Sequence, residues 1–298
     1  MTERGTDAWR DEALAWVADA TGRVPTGEVV QRHRAWSTVL KIPTADGPIW
    51  LKEPAPGMAH EVALHALLAR LAPDAVATPL AHDTRRLLLP DHGPSVRDTG
   101  ADPVAAMTDA LPRYARVQRA VADHLEETRA TGVPDATPSA LTDRFDEAVA
   151  TIGDPGGDRR ALVADWAKEL QDTAAPTIDH QDLHVGNVLA DGRFADWGDA
   201  VLAHPFASLL VALGSLRRTL AVATDDPAIT RPLDAYLDVF ADLGPRRELR
   251  RLAETACRAA VVARALTWQR AAAGDPRFVD TPREVLALVG DPDWLAGT

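Results

Sequence analysis

Cysteine, asparagine and lysine are all scarce in this 298-residue chain. The single cysteine, Cys257, cannot form a disulfide within the chain, which is typical of a cytoplasmic protein. No run of about 18 uncharged apolar residues is present, and no apolar run follows the first residues, so neither a membrane span nor a secretory signal is predicted. The net charge of −12 argues against a nucleic-acid partner, because a phosphate backbone requires a basic surface.

Several nucleotide-binding signatures are missing as well. The string GxxxxGK[ST] does not occur, which excludes a P-loop enzyme, and no GxGxxG precedes Lys52. No APE string occurs either, and the chain continues from Asp196 almost directly into the apolar run 201–206. Because this leaves no room for a long activation loop, a protein substrate is not expected.

The only asparagine, Asn187, ends the string HQDLHVGN at residues 180–187. This string follows the pattern HxDLxxxN of a phosphoryl-transfer catalytic loop. Nine residues later, Asp196-Trp197-Gly198 reads as DFG with tryptophan in place of phenylalanine. The two strings occur in the order that a kinase requires, so the sequence predicts transfer of a phosphoryl group from a nucleotide to a small hydroxylated molecule.

Three side chains of these strings have the chemistry for that reaction. Asp182 is the predicted catalytic base, because a carboxylate within hydrogen-bond reach can accept the proton of an attacking hydroxyl. Asn187 and Asp196 are the predicted Mg²⁺ ligands, since magnesium prefers oxygen donors and usually takes few of them from the protein. ATP and Mg²⁺ are therefore the expected cosubstrate and metal.

Five residues in the first third of the chain are predicted to bind the nucleotide. Lys52 ends an apolar strand, where its charge can hold phosphates, and Glu61 on the next helix can pair with it. The string LLLPDHG at 87–93 has the form of a hinge, with the Pro90 carbonyl and the His92 N–H available to adenine. Ser37, in the first hairpin, is expected to reach the phosphates.

The sequence indicates fewer residues for binding the acceptor than for binding the nucleotide. His184 and Asp199 are candidate substrate contacts, although Asp199 could equally cap the next helix. His180 is expected to orient the loop. An alternative interpretation makes His180, Asp182 and His184 a metal cluster of hydrolase type. Most of the excess acidic charge falls after residue 92, which favours either a cationic acceptor or solubility alone.

The periodicity predicts an α+β protein in two parts. Residues 1–92 indicate a small antiparallel sheet with one inserted helix, a hairpin turn at Asp46-Gly47 and a hinge near 90–93. Residues 93–298 are nearly all helical in pattern, except for the irregular segment 176–198 that contains the catalytic strings. Pro112 is expected to bend or restart a helix within 103–130. The predicted helices lie at 7–20, 58–71, 103–130, 138–152, 157–173, 204–223, 228–242, 246–273 and 281–289, and the predicted strands at 37–43, 48–52, 76–82 and 85–90.

On residues 180–187 and Asp196-Trp197-Gly198, the sequence resembles the aminoglycoside phosphotransferase and choline kinase-like family. Lys52, Glu61 and the hinge are weaker matches in the same order. The chain departs from the family pattern at Gln181, where glycine is usual, and in the phosphate loop, which has no glycine. The resemblance implies a bilobal protein-kinase-like fold and ATP- and Mg²⁺-dependent phosphorylation of a small-molecule hydroxyl.

Several alternatives stay open at this point. The acceptor implied by the resemblance is an aminoglycoside or another antibiotic, in a resistance role, or else a metabolic sugar, amino sugar or amino alcohol. GTP could replace ATP as the donor. The chain could also be a catalytically inactive, kinase-like nucleotide-binding module. Both a monomer and a homodimer are compatible with the sequence.

Overall fold

The computed structural model describes residues 3–271, 273 and 275–297. Its first part contains a five-stranded sheet in the order β1-β2-β3-β5-β4, in which all neighbouring strands are antiparallel. These strands are β1 (Val30–His33), β2 (Ser37–Ile42), β3 (Ile49–Pro54), β4 (Ala81–His82) and β5 (Leu87–Pro90).

One face of this sheet packs against helix α1 (Asp7–Thr21). Alternate residues of β2 and β3, including Leu40 and Leu51, are fully buried there against Trp9 of the helix. The β2–β3 connection contains Gly47 at φ 103°, a backbone angle that favours glycine, as the Asp-Gly turn predicted. The register aligns Lys52 with Val39 on β2 and Leu87 on β5, so Lys52 occupies a central strand.

Helix α2 (His60–Leu71) connects the sheet to the rest of the molecule. Its residues Leu64 and Leu68 are fully buried and belong to the same apolar core as the helices that follow. Glu61 lies in its first turn and is also buried. The inserted helix therefore fixes the position of Glu61 relative to both parts of the protein.

The second part is mainly helical and contains one two-stranded antiparallel ladder, β6 (Thr177–Asp179) with β7 (Val201–Ala203). The long helix α10 packs against several of the other helices. The helices are α3 (Val96–Thr99), α4 (Pro103–Ala122), α5 (Leu125–Ala130), α6 (Leu141–Thr151), α7 (Arg159–Leu170), α8 (Leu209–Leu220), α9 (Pro227–Asp238), α10 (Arg246–Ala271) and α11 (Thr281–Ala287).

This architecture confirms the predicted α+β class, with a small antiparallel sheet, one inserted helix and a larger helical part. Details differ from the prediction. The strand expected at 76–82 is reduced to Ala81–His82, and strands β1, β6 and β7 were not predicted. Pro112 lies inside α4, which continues to Ala122 without a restart. The helix expected at 246–273 is α10 as far as Ala271, and residue 272 lies outside the described residues.

Cys257 is fully buried in α10, inside the helix predicted at 246–273. Every helix in the described part of the chain is too short or too polar to span a lipid bilayer.

Candidate active site

A loop that leaves β6 carries the residues of the HxDLxxxN string. It begins at buried Asp179, whose Oδ1 accepts hydrogen bonds from the Gln181 backbone N at 3.0 Å and from Ser208 Oγ at 2.8 Å. Burial raises the pKa of Asp179, while these donors oppose the shift. Gln181 has φ 62°, so the loop turns sharply at the position where the resemblance expected glycine.

His180 orients the loop, as expected, because both of its ring nitrogens are engaged by the backbone. Its Nδ1 accepts from the Asp182 N–H at 3.3 Å, and its Nε2 lies 3.0 Å from the carbonyl oxygen of Ala195. Nε2 must therefore carry the proton of a neutral ring. Burial lowers the pKa of His180, which agrees with that neutral form. Neither nitrogen is free for a metal, so the alternative hydrolase cluster does not form.

Asp182 and Asn187 meet across the loop. Asn187 Nδ2 donates to the backbone oxygen of Asp182 at 2.8 Å and to its Oδ2 at 3.0 Å. This arrangement orients the Asp182 carboxylate and leaves the amide oxygen of Asn187 for another partner. His184 Nε2 lies 3.6 Å from the same Oδ2, so His184 stands beside the predicted base.

Asp196, Lys52 and Glu61 form a second cluster. Lys52 Nζ lies 2.5 Å from Asp196 Oδ1 and 2.6 Å from Glu61 Oε1, so the pairing of Lys52 with Glu61 that the sequence predicted is present. A Cβ atom added at Gly198 would stand 3.0 Å from Glu61 Oε2, so a larger residue here would press on the Glu61 carboxylate. Asp196 has φ 65°, a sparsely populated conformation that directs its half-exposed carboxylate toward Lys52.

The charges of this second cluster shift one another's pKa values. The Lys52 ammonium holds the pKa of Asp196 below its usual range, against the effect of burial. Burial would lower the pKa of Lys52, but the two carboxylates outweigh it and raise that pKa. Burial raises the pKa of Glu61 to about 7, against the attraction of Lys52. Lys52 therefore remains charged at neutral pH.

Asp182 of the first cluster and all three residues of the second line one cavity of about 170 Å³. It lies between the sheet, α2, the catalytic loop and α10. Its walls combine charged groups with aromatic and apolar side chains. The lining residues are Trp36, Lys52, Met58, Glu61, Asp182, Asp196, Gly198, Asp199, Arg264, Thr267, Trp268 and Ala271.

Arg264 is a member of this site that the sequence motifs did not indicate. Its Nη2 lies 3.5 Å from Asp182 Oδ1, and its Nη1 lies 3.5 Å from Asp199 Oδ2. Burial raises the pKa of Asp199 to about 6, while Arg264 opposes the shift. One signal was available: Arg264 is the single charged residue in the apolar run at 259–268 of α10. A buried charge in such a run requires partners.

Five predicted site residues lie outside the cavity lining. Asn187 and His184 are two of them, although both stand beside Asp182. The other three are farther along the chain from the catalytic loop. Ser37 is buried at the start of β2, and its neighbour Trp36 reaches the cavity instead. Pro90 ends β5 opposite Ile49 of β3. The ring of His92 stacks on Trp50 with the centroids 5.4 Å apart. The residues predicted for adenine therefore form a separate group at the end of the sheet.

No protein-family model and no curated protein matches this chain. Solved structures do match it. A macrolide 2′-phosphotransferase from Brachybacterium faecium is 19% identical, covers 95% of this chain and 98% of its own, and has a TM-score of 0.60. An ethanolamine kinase from Plasmodium vivax is 11% identical over 100% and 98% of the two chains, with a TM-score of 0.62. A GDP complex of aminoglycoside 2′-phosphotransferase-IIIa is 14% identical over 94% and 97%, with a TM-score of 0.61.

These similarities extend over nearly the whole length of each chain, at low sequence identity. They show that this protein has the fold of those small-molecule phosphotransferases and confirm the fold that the sequence resemblance implied. Fold alone does not assign an activity, which depends on the side chains at the site. Those side chains provide a proton acceptor, a fixed ammonium group and oxygen donors around one cavity.

Proposed function

We propose that this chain is a small-molecule kinase, which transfers the γ-phosphoryl group of ATP, with Mg²⁺, to a hydroxyl group of its acceptor. The observation that carries the proposal is the position of Asp182, Lys52 and Asp196, which come from two distant segments of the chain and line the same cavity. Phosphoryl transfer depends mainly on positioning and electrostatic stabilisation, and these groups provide both.

The donor set fits magnesium. Asp196 presents a half-exposed carboxylate with a lowered pKa, and Asn187 presents an amide oxygen because its Nδ2 is used by Asp182. Mg²⁺ is commonly held by one or two protein oxygens, with phosphates and water completing the shell. When bound, the metal would neutralise charge on the transferred phosphoryl group. Within the described residues, no cluster of three or more acidic, histidine or cysteine side chains competes for it.

Asp182 acts as the general base. Its carboxylate is about one-third exposed and lines the cavity, where it can accept the proton of the acceptor hydroxyl. Asn187 holds one carboxylate oxygen, and His180 holds the backbone of the same residue. These contacts reduce the freedom of the base before the acceptor arrives, so less entropy is lost in the reaction.

Lys52 binds the phosphates of the nucleotide, and Glu61 keeps it in position from α2. The adenine would lie at the Pro90 carbonyl and the His92 N–H, on a hinge at about 90–93 that joins an N-terminal lobe (1–92) to a C-terminal lobe (93–298). Ser37 would contribute through the loop before β2. GTP is the alternative donor, because one of the similar phosphotransferases was solved with GDP.

The acceptor is a small hydroxylated molecule, with His184 and Asp199 next to its reacting end. An aminoglycoside or another antibiotic, in a resistance role, stands beside a metabolic sugar, amino sugar or amino alcohol. Such a reaction belongs in the cytoplasm, where the nucleotide is available, and requires neither a nucleic acid nor a membrane. The site lies within one chain, so a monomer or a homodimer can perform it.

A phosphorylation screen tests the proposal. Labelled ATP and Mg²⁺ would be incubated with aminoglycosides, macrolides, nucleoside antibiotics, sugars, amino sugars and amino alcohols, and phosphorylated products detected by mass spectrometry. The control is the double variant Asp182→Asn/Asp196→Asn, which removes both reactive carboxylates. The expected result is a product with the wild type and none with the control. A wild type that binds Mg-ATP but phosphorylates nothing would support the inactive nucleotide-binding module instead.

A further inference from the structure

Gln181, the residue before the proposed base, has an unusual backbone conformation. In the part of the chain that the structure describes, four residues other than glycine have a positive φ, and they are Asp172, Gln181, Asp196 and Ala221. Gln181 is the buried one of the four, with 2% of its surface exposed, whereas the other three are exposed. A left-handed backbone is unfavourable for a residue with a Cβ atom, so the surrounding contacts must hold Gln181 in this conformation.

The carboxylate of Asp179 binds Gln181 at two points. Its Oδ1 accepts from the Gln181 backbone N–H at 3.0 Å, and its Oδ2 accepts from Gln181 Nε2 at 2.5 Å. One carboxylate therefore holds both the main chain and the side chain of the strained residue. Oδ1 also accepts from Ser208 Oγ at 2.8 Å, and Ser208 Oγ accepts from Gln118 Nε2 of α4 at 3.2 Å. Because all of these groups are buried, Asp179 is anchored firmly within the helical part.

The conformation of Gln181 sets the direction of the peptide group that joins it to Asp182. Both ends of that peptide group are held. The Gln181 oxygen accepts from Arg264 Nη1 at 2.6 Å, and the Asp182 N–H donates to His180 Nδ1 at 3.3 Å. A negative φ at Gln181 would turn this peptide group and break both contacts. The Asp182 carboxylate, which comes next along the chain, would then leave its place in the cavity lining.

Asp179 itself does not reach the reacting groups. It is 1% exposed and does not line the cavity that contains Lys52 and Asp182. Burying a carboxylate costs free energy unless it is hydrogen-bonded, and its donors here are the two amide groups of Gln181 and the Ser208 hydroxyl. An apolar side chain would fill this position of β6 without that cost. The carboxylate is therefore explained by the turn that it holds and not by packing.

We propose that Asp179 is a positioning residue, which holds Gln181 in its left-handed conformation and thereby places the Asp182 carboxylate in the cavity. The inference rests on the proposed function, in which Asp182 is the general base. A glycine at position 181 would need no such support, because glycine adopts a positive φ without strain. Asp179 and Gln181 therefore act as a pair, and the effect of changing one depends on the identity of the other.

A double-variant cycle tests the pair, with acceptor-independent hydrolysis of Mg-ATP as the activity. Water attacks the γ-phosphorus, the bond to the β–γ bridging oxygen breaks, and Asp182 accepts the proton of the water. Asp179→Ala should lower kcat by about tenfold or more and leave KM for Mg-ATP within about twofold, because the base moves and the nucleotide contacts do not. In a Gln181→Gly background, Asp179→Ala should lower kcat by less than about threefold. An equal loss in both backgrounds would overturn the proposal.

Thr177→Val is the matched control. Thr177 is buried in the same strand as Asp179, and its Oγ1 donates to the backbone oxygen of Gln118 at 2.6 Å. The change removes a buried hydrogen bond from β6 without altering Gln181, so it should lower the free energy of unfolding but leave kcat within about twofold. Equal losses of kcat in Thr177→Val and Asp179→Ala would mean that any weakening of β6 disturbs the base, and the assignment of Asp179 would fall.

Two variants at position 181 keep the test available if Asp179→Ala does not fold. Both retain Asp179 and lose the contact of Gln181 Nε2. Gln181→Ala keeps the Cβ atom that disfavours a positive φ, whereas Gln181→Gly removes it. Gln181→Ala should therefore have a kcat at least about threefold below that of Gln181→Gly. Equal kcat values for the two variants would show that the left-handed conformation does not limit the base.

Hydrogen exchange distinguishes failure of this proposal from failure of the proposed function. The amide hydrogens of residues 180–187, followed by mass spectrometry, report on the loop without any catalysis. They should exchange about tenfold faster in Asp179→Ala than in the wild type, and the added Gln181→Gly should restore the slower rate. If the wild type hydrolyses no Mg-ATP but exchange follows this pattern, the kinase proposal is wrong and Asp179 still positions the loop. If the wild type hydrolyses Mg-ATP and neither kcat nor exchange shows the coupling, the assignment of Asp179 is wrong and the kinase proposal stands.

Discussion

Two groups in the cavity have the same pattern of charges and different geometry. In each, one cation stands between two carboxylates: Lys52 between Glu61 and Asp196, and Arg264 between Asp182 and Asp199. The lysine contacts are 2.6 and 2.5 Å, whereas the arginine contacts to the carboxylates are 3.5 Å each. The first group is a tight, hydrogen-bonded cluster, and the second leaves both carboxylates available to a ligand. The first group therefore fixes a charge, while the second sets the charge of a site that is open to a ligand.

The strongest consequence is predicted for Asp182, which belongs to the second group. Asp182→Asn keeps the size and the contact with Asn187 but removes the proton acceptor. We expect kcat to fall by about 10²–10⁴-fold, the usual contribution of a general base. Mg-ATP affinity, measured by calorimetry, should stay within about twofold, because the base does not hold the nucleotide. A variant with near-normal turnover would show that Asp182 is not the base.

The second prediction concerns the contribution of Lys52 and Glu61, in the first group, to the stability of the protein. Lys52→Met leaves buried Glu61 without its cation, and breaking a buried pair in this way typically costs about 3–5 kcal/mol. We expect a loss of about 3 kcal/mol in the free energy of unfolding, measured with denaturant. The double variant Lys52→Met/Glu61→Gln should recover most of that loss, because no buried charge is left unpaired. Equal stability of the single and double variants would contradict the pairing.

The site residues differ in how well they could be predicted from the sequence, because they are spaced differently along the chain. Asp182, Asn187 and Asp196 lie within one short segment, where the spacing of residue types reflects the chemistry directly. Lys52 and Glu61 are nine residues apart on adjacent elements, and their pairing could be predicted from a strand followed by a helix. Arg264 is 82 positions beyond Asp182 in sequence numbering, and only the packing of α10 against the catalytic loop brings them together.

The secondary structure also divides into elements with local sequence signals and elements defined by distant contacts. Long periodic helices and the Asp-Gly hairpin were predicted because their signals are local. Strand β7 was missed because its three residues, Val201–Ala203, are defined by pairing with β6 and have no periodicity of their own. Pro112 was expected to bend or restart a helix, and α4 continues through it without a restart, with Leu111 and Ala115 on either side buried in the core.

The third prediction concerns Asp199 in the second group and the pH dependence of its contribution to stability. Burial raises the pKa of Asp199 to about 6, above its value in an unfolded chain, so between about pH 4 and 6 the folded state binds more protons. The contribution of Asp199 to stability is therefore fully present below about pH 4 and is lost as the pH rises to 6. The free energy of unfolding of the wild type relative to Asp199→Asn should fall by up to about 2 kcal/mol across this range. A difference that is independent of pH would contradict the raised pKa.

The weakest consequence is predicted for Asp196, the proposed metal ligand in the group of Lys52 and Glu61. Asp196→Ala removes the proposed charged ligand but leaves Lys52 with Glu61, so the fold should persist. We expect Mg-ATP to bind about tenfold more weakly, a loss of about 1.4 kcal/mol, while ATP in the presence of EDTA should bind as well as it does to the wild type. Calorimetry with and without Mg²⁺ separates the two cases. An equal loss under both conditions would mean that Asp196 acts on the nucleotide only by positioning Lys52, and that the tight group fixes a charge without holding a metal.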